Sequence, residues 1–333
     1  MSKSISSRDL ERAKELIRSS KGVAIGTHIR PDGDALGSLL GLARALEQSG
    51  LRVSRLCDDK APTAYQFLPE SDRISSEAPE WSPDLGIVVD CDGLSRVGHL
   101  QGLFEGLPHV IDIDHHGRDN AFGDVRLIDA EAGAAAEIVY DLICSLGAKI
   151  DGDTATCLYA GILTDTGRFS YANTTATSLE IASLLVRAGA QPQRIAREVY
   201  EERSLAATHL LGVALSRVSF DGDGKVVSTA LTRQDFVETG AVSADTEGII
   251  DNIRAISGPF VALLFVEAED GAVRVSLRSD DTIDVSEIAL QFGGGGHAMA
   301  AGCTVIGGLA EVRERVLGAV RRSLPGSDPA DVA

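Results

Sequence analysis

Short, mostly apolar runs alternate with helix-length segments through the first half of this chain. That alternation narrows the fold more than any other feature. Val23–Thr27, Arg52–Cys57, Gly86–Asp90, His109–Asp114 and Val125–Asp129 read as strands. Ala35–Gln48, closed by Gly50, reads as a helix between the first two. Near-continuous apolar strands must be covered on both faces, which predicts a parallel sheet with helices on each side. Gly133–Leu146, Asp153–Leu163 and Thr174–Ala188 follow as helices.

The texture changes after residue 190. Residues 191–215 are mostly helical, charged and weakly amphipathic, and read as a connector. Beyond them Val226–Thr232, Val261–Ala268 and Ala272–Arg278 read as strands, and Asp245–Ile256, Ser286–Phe292 and Ala310–Ser323 as helices. The expected architecture is α/β: an N-terminal parallel-sheet domain over 1–190, the helical connector 191–215, a smaller C-terminal α/β domain over 216–325 and a tail at 326–333. A length of 333 residues suits two domains at about 100–200 residues each.

Composition removes whole classes of function. The 44% hydrophobic share excludes a disordered chain. With 31 Lys and Arg against 49 Asp and Glu, the net charge is −18. Such a chain is not expected to hold long duplex nucleic acid, because that binding rests on neutralising phosphates with basic side chains. A small anion held by a local basic pocket or by metal remains open. The five cysteines form no CxxC pair, and Met1–Ser20 carries no apolar leader, so a cytoplasmic setting is expected. No membrane association is expected, since the longest apolar run, Phe260–Val266, is far short of the roughly 20 residues a spanning helix needs.

Four apolar runs close on metal-ligand side chains. After Val23–Thr27 comes His28-Ile-Arg-Pro-Asp32-Gly-Asp34, and Gly86–Val89 closes on Asp90. His109–Asp114 leads into His115 and His116, and Leu158–Leu163 into Thr164-Asp165. These read as four strand-end positions. Parallel strands put their carboxyl ends on one edge, where functional groups of open α/β sheets gather. Asp32, Asp34, Asp90 and Asp165 together would bring four negative charges, which two divalent ions neutralise and one does not. Asp90, alone at its strand end, is the residue able to reach both ions. Mixed imidazole and carboxylate donors favour Mn²⁺, with Mg²⁺, Co²⁺ and Zn²⁺ as alternatives. Taken singly, Pro-Asp-Gly-Asp is also good turn chemistry, and it is the recurrence that argues for metal.

The set His28-x3-Asp32-x-Asp34, Asp90, Asp114-His115-His116 and Asp165 resembles the motifs of the DHH phosphoesterases. The C-terminal half is similar to the domain associated with that family, through Ser276-Leu-Arg278-Ser and Gly293-Gly-Gly-Gly-His297-Ala-Met-Ala-Ala-Gly302. Within the family, the likeness is to the branch of small oligoribonucleases and pAp phosphatases. The resemblance implies one ion on His28, Asp32 and Asp90, and a second on Asp34, Asp90, His115 and Asp165. It implies a catalytic role for His116 near the scissile phosphate and a supporting one for Asp114. It also implies an active cleft between the two domains.

Gly293–Gly296 allows backbone N–H groups to converge on an anion, so Gly294, Gly295, Gly296, His297 and Arg278 are the candidate substrate-binding residues. A plain flexible turn is the competing reading. Two decoys fail. Gly293-x-Gly295-x-x-Ala298 follows a helical pattern rather than a strand, and Asp221-x-Asp223 lacks the Gly and Glu of a calcium loop. The expected activity is two-metal hydrolysis of short RNA to 5′-mononucleotides, or of pAp to AMP and phosphate. A cyclic or linear dinucleotide phosphodiesterase and a non-catalytic nucleotide sensor are the alternatives, and a homodimer is left open.

Overall fold

The computed structural model describes residues 5–116, 122–201, 203–268, 271–280 and 282–325; the expected tail at 326–333 lies outside them. The chain divides into two compact units, Met1–Glu202 and Arg203–Ala333.

The first unit runs α1 (Ser7–Ser19), β1 (Gly22–Gly26), α2 (Gly33–Gln48), β2 (Arg52–Leu56), β3 (Leu85–Val89), α3 (Gln101–Glu105), β4 (Val110–Asp114) and β5 (Val125–Ile128). It continues with α4 (Ala135–Leu146), α5 (Gly152–Asp165), α6 (Ala176–Ala188) and α7 (Pro192–Ala196). The sheet is parallel throughout, in the order β2-β1-β3-β4-β5. β1 and β3 are buried along their whole length, as the apolar runs require. One face packs against a core that includes Ile25, Ile87, Leu36 and Leu158, the other against Val88, Val97 and Phe104. Each such side chain, fully buried, contributes about 1.5–3 kcal/mol. Strand order reverses between β1 and β3, the crevice where open α/β sheets hold their ligands.

α2 is buried nearly all round, and the sequence shows why it can be. Gly33, Gly37 and Gly41 fall four residues apart on one face and meet α5. A Cβ on Gly37 would stand 2.4 Å from the Cys157 carbonyl oxygen, and one on Gly161 of α5 would stand 2.8 Å from Asp34 Oδ1. Glycine at these positions lets the two helices approach backbone to backbone. The start of α2 and the end of α5 carry Asp34 and Asp165, so this contact brings two candidate ligands together.

The second unit runs α8 (Leu205–Ser216), β6 (Ser219–Asp221), β7 (Val226–Leu231), α9 (Arg233–Thr239), α10 (Ile249–Arg254), β8 (Val261–Glu267) and β9 (Ala272–Ser279). α11 (Val285–Leu290), β10 (Gly295–His297), β11 (Ala300–Ile306) and α12 (Leu309–Ser323) complete it. Its six strands are ordered β10-β11-β9-β8-β7-β6, with only β7 and β8 parallel. β9 alternates as a strand with unlike faces should: Val273, Val275 and Leu277 are buried against α11 and α12, and Arg274, Ser276 and Arg278 point the other way.

The segment 191–215 is shared between the units. Ile195 of α7 belongs to the first unit's core, whereas Leu210 and Ala214 of α8 belong to a core of the second. Between them Arg197–Glu201 forms a single π-helical turn. Among the described residues no helix is long and apolar enough to cross a membrane.

Candidate active site

β1, β3 and β4 deliver three of the expected clusters to the carboxyl edge of the parallel sheet. His28 follows β1, Asp90 follows β3, and Asp114 ends β4 ahead of His115 and His116. The fourth position is not a strand end. Asp165 is the last residue of helix α5, in keeping with the helix expected over Asp153–Leu163 and against its grouping with the strand ends. Its run is apolar because α5 is packed between α2, α4 and α6, and a short buried apolar run does not distinguish helix from strand. Asp32 caps α2, accepting from the Asp34 and Ala35 N–H groups at 3.1 and 3.0 Å.

These side chains converge. Ligand atoms of His28, Asp32 and Asp90 lie within 4.8 Å of one another, as do those of Asp34, His115 and Asp165, and those of Asp90, Asp114, His115 and His116. Asp90 stands at the centre. Its Oδ2 is 3.7 Å from His28 Nε2, and its Oδ1 is 3.5 Å from His115 Nε2. Asp90 adopts the left-handed conformation at φ 52°, which an L-residue rarely takes outside a constrained site.

The donor set fits metal. His28 Nδ1 donates to the Ile29 carbonyl oxygen at 2.8 Å, and His115 Nδ1 to that of Ala132 at 3.3 Å. In the neutral rings this leaves each Nε2 an acceptor, turned toward carboxylate oxygens. Lone pairs facing lone pairs call for a proton or a metal cation between them, and a backbone carbonyl on the far nitrogen is how ligating histidines are oriented. Asp90 Oδ1 is buried and accepts no well-aligned hydrogen bond. An acidic and imidazole cluster of this kind could hold a divalent metal.

The carboxylates also perturb one another. Burial, with the charges of Asp90 and Asp165, pushes Asp34 well above the usual range. Burial likewise lifts Asp165 to about 7. Burial alone would raise Asp90, but contact with His115 and His28 holds it well below normal. Burial would lower His28, yet Asp90 and Asp32 outweigh it and push the ring up to about 9. His116 is also raised: burial opposes its charge, and Asp114 Oδ1, 2.6 Å from Nδ1, overrides that. Three hydrogen bonds hold Asp34, from the Ala135 and Ala136 N–H groups at the start of α4 and from Ser38.

Arg96 was not singled out from the sequence. Its Nη2 is 3.5 Å from His28 Nδ1, a positive charge beside an acidic site. Nothing in a lone arginine seven residues past the β3 end announces that position.

The remaining candidates lie in the second unit. Register places His297 opposite Ala300 and Ala300 opposite Arg278. Directly opposed residues share a face, so Arg278 and His297 line up on one face two strands apart, about 10 Å. Arg278 Nε is 3.7 Å from Asp251 Oδ1. The glycine run is only partly a loop, since Gly295 and Gly296 pair within the β10–β11 hairpin. A Cβ on Gly294 would stand 2.1 Å from the Gly302 carbonyl oxygen, so close backbone approach itself demands glycine there.

A parallel sheet with carboxylates and imidazoles at its switch point, joined to a mixed-sheet unit, defines a class. The DHH family N-terminal domain matches residues 22–162 and the DHHA1 domain matches residues 222–324. The chain belongs to the DHH family of phosphoesterases. It is 36% identical over 313 residues to the bifunctional oligoribonuclease and PAP phosphatase NrnA of Thermus thermophilus, covering 93% of each chain. The protein of the same name from Bacillus subtilis is 27% identical, over 85% of this chain and 89% of that one. Among solved structures, an exopolyphosphatase-related protein from Bacteroides fragilis superposes with a TM-score of 0.90 at 26% identity, over 97% of this chain and 99% of that one.

Proposed function

We propose that this chain is a phosphoesterase that uses two divalent ions, Mn²⁺ foremost, to hydrolyse short oligoribonucleotides to 5′-mononucleotides and pAp to AMP and phosphate. The observation that carries the reading is Asp90, whose two oxygens face His28 on one side and His115 on the other. His28, Asp32 and Asp90 would hold one ion, and Asp34, Asp90, His115 and Asp165 the other. Bound there, such ions polarise phosphoryl oxygens and lower the pKa of water.

The chain's own residues do the rest. Asp114 orients His116 and favours its protonated form, so His116 is placed to give a proton to the departing oxygen. Arg96 adds positive charge for the phosphoryl oxygens. Arg278 and His297, with Gly294, Gly295 and Gly296, would grip the nucleotide through its terminal phosphate. The 36% identity to an oligoribonuclease and PAP phosphatase over 93% of both chains supports this choice of substrates.

A direct assay decides it. With Mn²⁺ present, a dinucleotide and pAp should turn over far faster than pyrophosphate or a cyclic dinucleotide. In the same assay Arg278→Ala should lower kcat/KM for these nucleotides by roughly tenfold or more, the scale of a lost charged hydrogen bond. Hydrolysis of a small generic phosphodiester should fall much less. Faster turnover of the cyclic dinucleotide would reassign the substrate. Equal losses on both substrate types would show that Arg278 does not serve nucleotide binding.

A further inference from the structure

We propose that Asn173 and Glu137 are positioning residues. Acting through the turn 132–136, they set the geometry of the Asp34–His115–Asp165 group and leave the His28–Asp32–Asp90 group alone. The inference rests on reading these groups as two metal subsites.

The turn touches two members of one group directly and reaches the third through Asn173. Its Ala132 carbonyl oxygen accepts from His115 Nδ1 at 3.3 Å. Its Ala135 and Ala136 N–H groups donate to Asp34 Oδ2 and Oδ1 at 2.6 and 3.0 Å. Asp165 is tied in by Asn173, whose Nδ2 donates to the Gly133 carbonyl oxygen at 3.0 Å and to the Asp165 backbone oxygen at 3.1 Å. The Asp165 carboxylate Oδ2 is 3.4 Å from the same nitrogen. One amide thus bridges the end of α5 to the turn that fixes the other two ligands.

Glu137 holds the turn from the opposite side. Only 4% exposed, it has no part in the proposed chemistry. Its carboxylate accepts from Ser178 Oγ at 2.6 Å and from the Gly133 backbone N–H. Ser178 in turn closes the start of α6 with Thr175. Gly133 is therefore held at its carbonyl by Asn173 and at its N–H by Glu137. A side chain there would strike both surroundings, with a Cβ 2.7 Å from Ser178 Oγ and 2.8 Å from Glu137 Oε1.

The other group is oriented elsewhere. His28 is set by its neighbour Ile29, and Asp32 by the first N–H groups of α2. Neither support involves the turn. A fault in the turn should therefore weaken one subsite and spare the other, which a general loss of packing would not do. Residues that orient metal ligands are typically worth about 10–100-fold in affinity.

The test is a Mn²⁺ titration of the full chain, with free Mn²⁺ read by electron paramagnetic resonance and apo-protein melting measured alongside. The wild type should bind two ions. In Asn173→Ala one ion should weaken by about 10–100-fold while the other stays within about twofold, and added Mn²⁺ should restore dinucleotide hydrolysis. Glu137→Gln should weaken the same ion by a smaller factor, and it provides the reading if Asn173→Ala does not fold. Equal weakening of both ions, or unchanged binding in either folded variant, would overturn the proposal. A wild type that binds no divalent ion would instead overturn the two-ion reading beneath it.

Discussion

Asp90→Ala is expected to lower hydrolysis of a dinucleotide by roughly 10³-fold or more, the scale of losing the several kcal/mol that metal-assisted chemistry supplies. The reason is the placing of its two oxygens, one toward His28 at 3.7 Å and one toward His115 at 3.5 Å. Removing this carboxylate takes a donor from both proposed subsites. Asp32→Ala or Asp165→Ala takes a donor from one. Bound metal should therefore fall further in Asp90→Ala than in either single-subsite variant. Asp90→Asn separates chemistry from folding, because Asn tolerates φ 52° as Asp does while Ala adds about 1–2 kcal/mol of backbone strain. Both variants should be inactive although only one carries the strain. Full activity in either would remove Asp90 from the centre of the site.

The second large effect is expected at Gly37, a residue with no side chain to take part in the chemistry. A Cβ there meets the Cys157 carbonyl oxygen at 2.4 Å and the Gly161 nitrogen at 2.9 Å, both backbone atoms that cannot swing aside. Gly37→Val must push α2 from α5. Overpacking of this kind costs about 1–3 kcal/mol or more. For a unit of this size that lowers the first melting transition by about 2–12 °C. The same displacement separates Asp34 from Asp165, so metal affinity should fall with stability. Gly102→Ala is the control. It sits in α3 with nothing within 4 Å of its Cβ, and it should leave melting unchanged or raise it slightly. Melting curves of the three proteins, with and without Mn²⁺, check this. Equal stability of Gly37→Val and the wild type would show that the helix contact is not tight.

What could be read from the sequence follows from where each determinant lies. His28, Asp90 and Asp114 stand beside strands whose apolar texture is local, so strand ends and ligand residues appear together in the string. The helix over Asp153–Leu163 is legible, but its last apolar run, Leu158–Leu163, imitates a strand end because α5 is buried on most sides and shows no polar face there. The stripe of Gly33, Gly37 and Gly41 was present in the sequence, but its meaning depends on α5, more than a hundred residues further on. Asn173, Glu137 and Arg96 were silent for the same reason. Their partners are the turn 132–136 and His28, and neither spacing nor residue type reveals such pairings. β10 escaped notice because Gly295 and Gly296 have no side chains to show a strand's alternation.

The measurement that tests the central claim most directly is a length series of 5′-labelled RNA, from two to more than 20 nucleotides, with Mn²⁺ at fixed salt and with a chelator as reference. A net charge of −18 opposes each phosphate beyond the local site, so binding should saturate after a few nucleotides while repulsion grows. The expected result is metal-dependent release of 5′-mononucleotides, with kcat/KM highest at about two to five nucleotides and poor cutting at roughly 20 or more. Processive digestion of long RNA at the dinucleotide rate, or hydrolysis undiminished by the chelator, would contradict it.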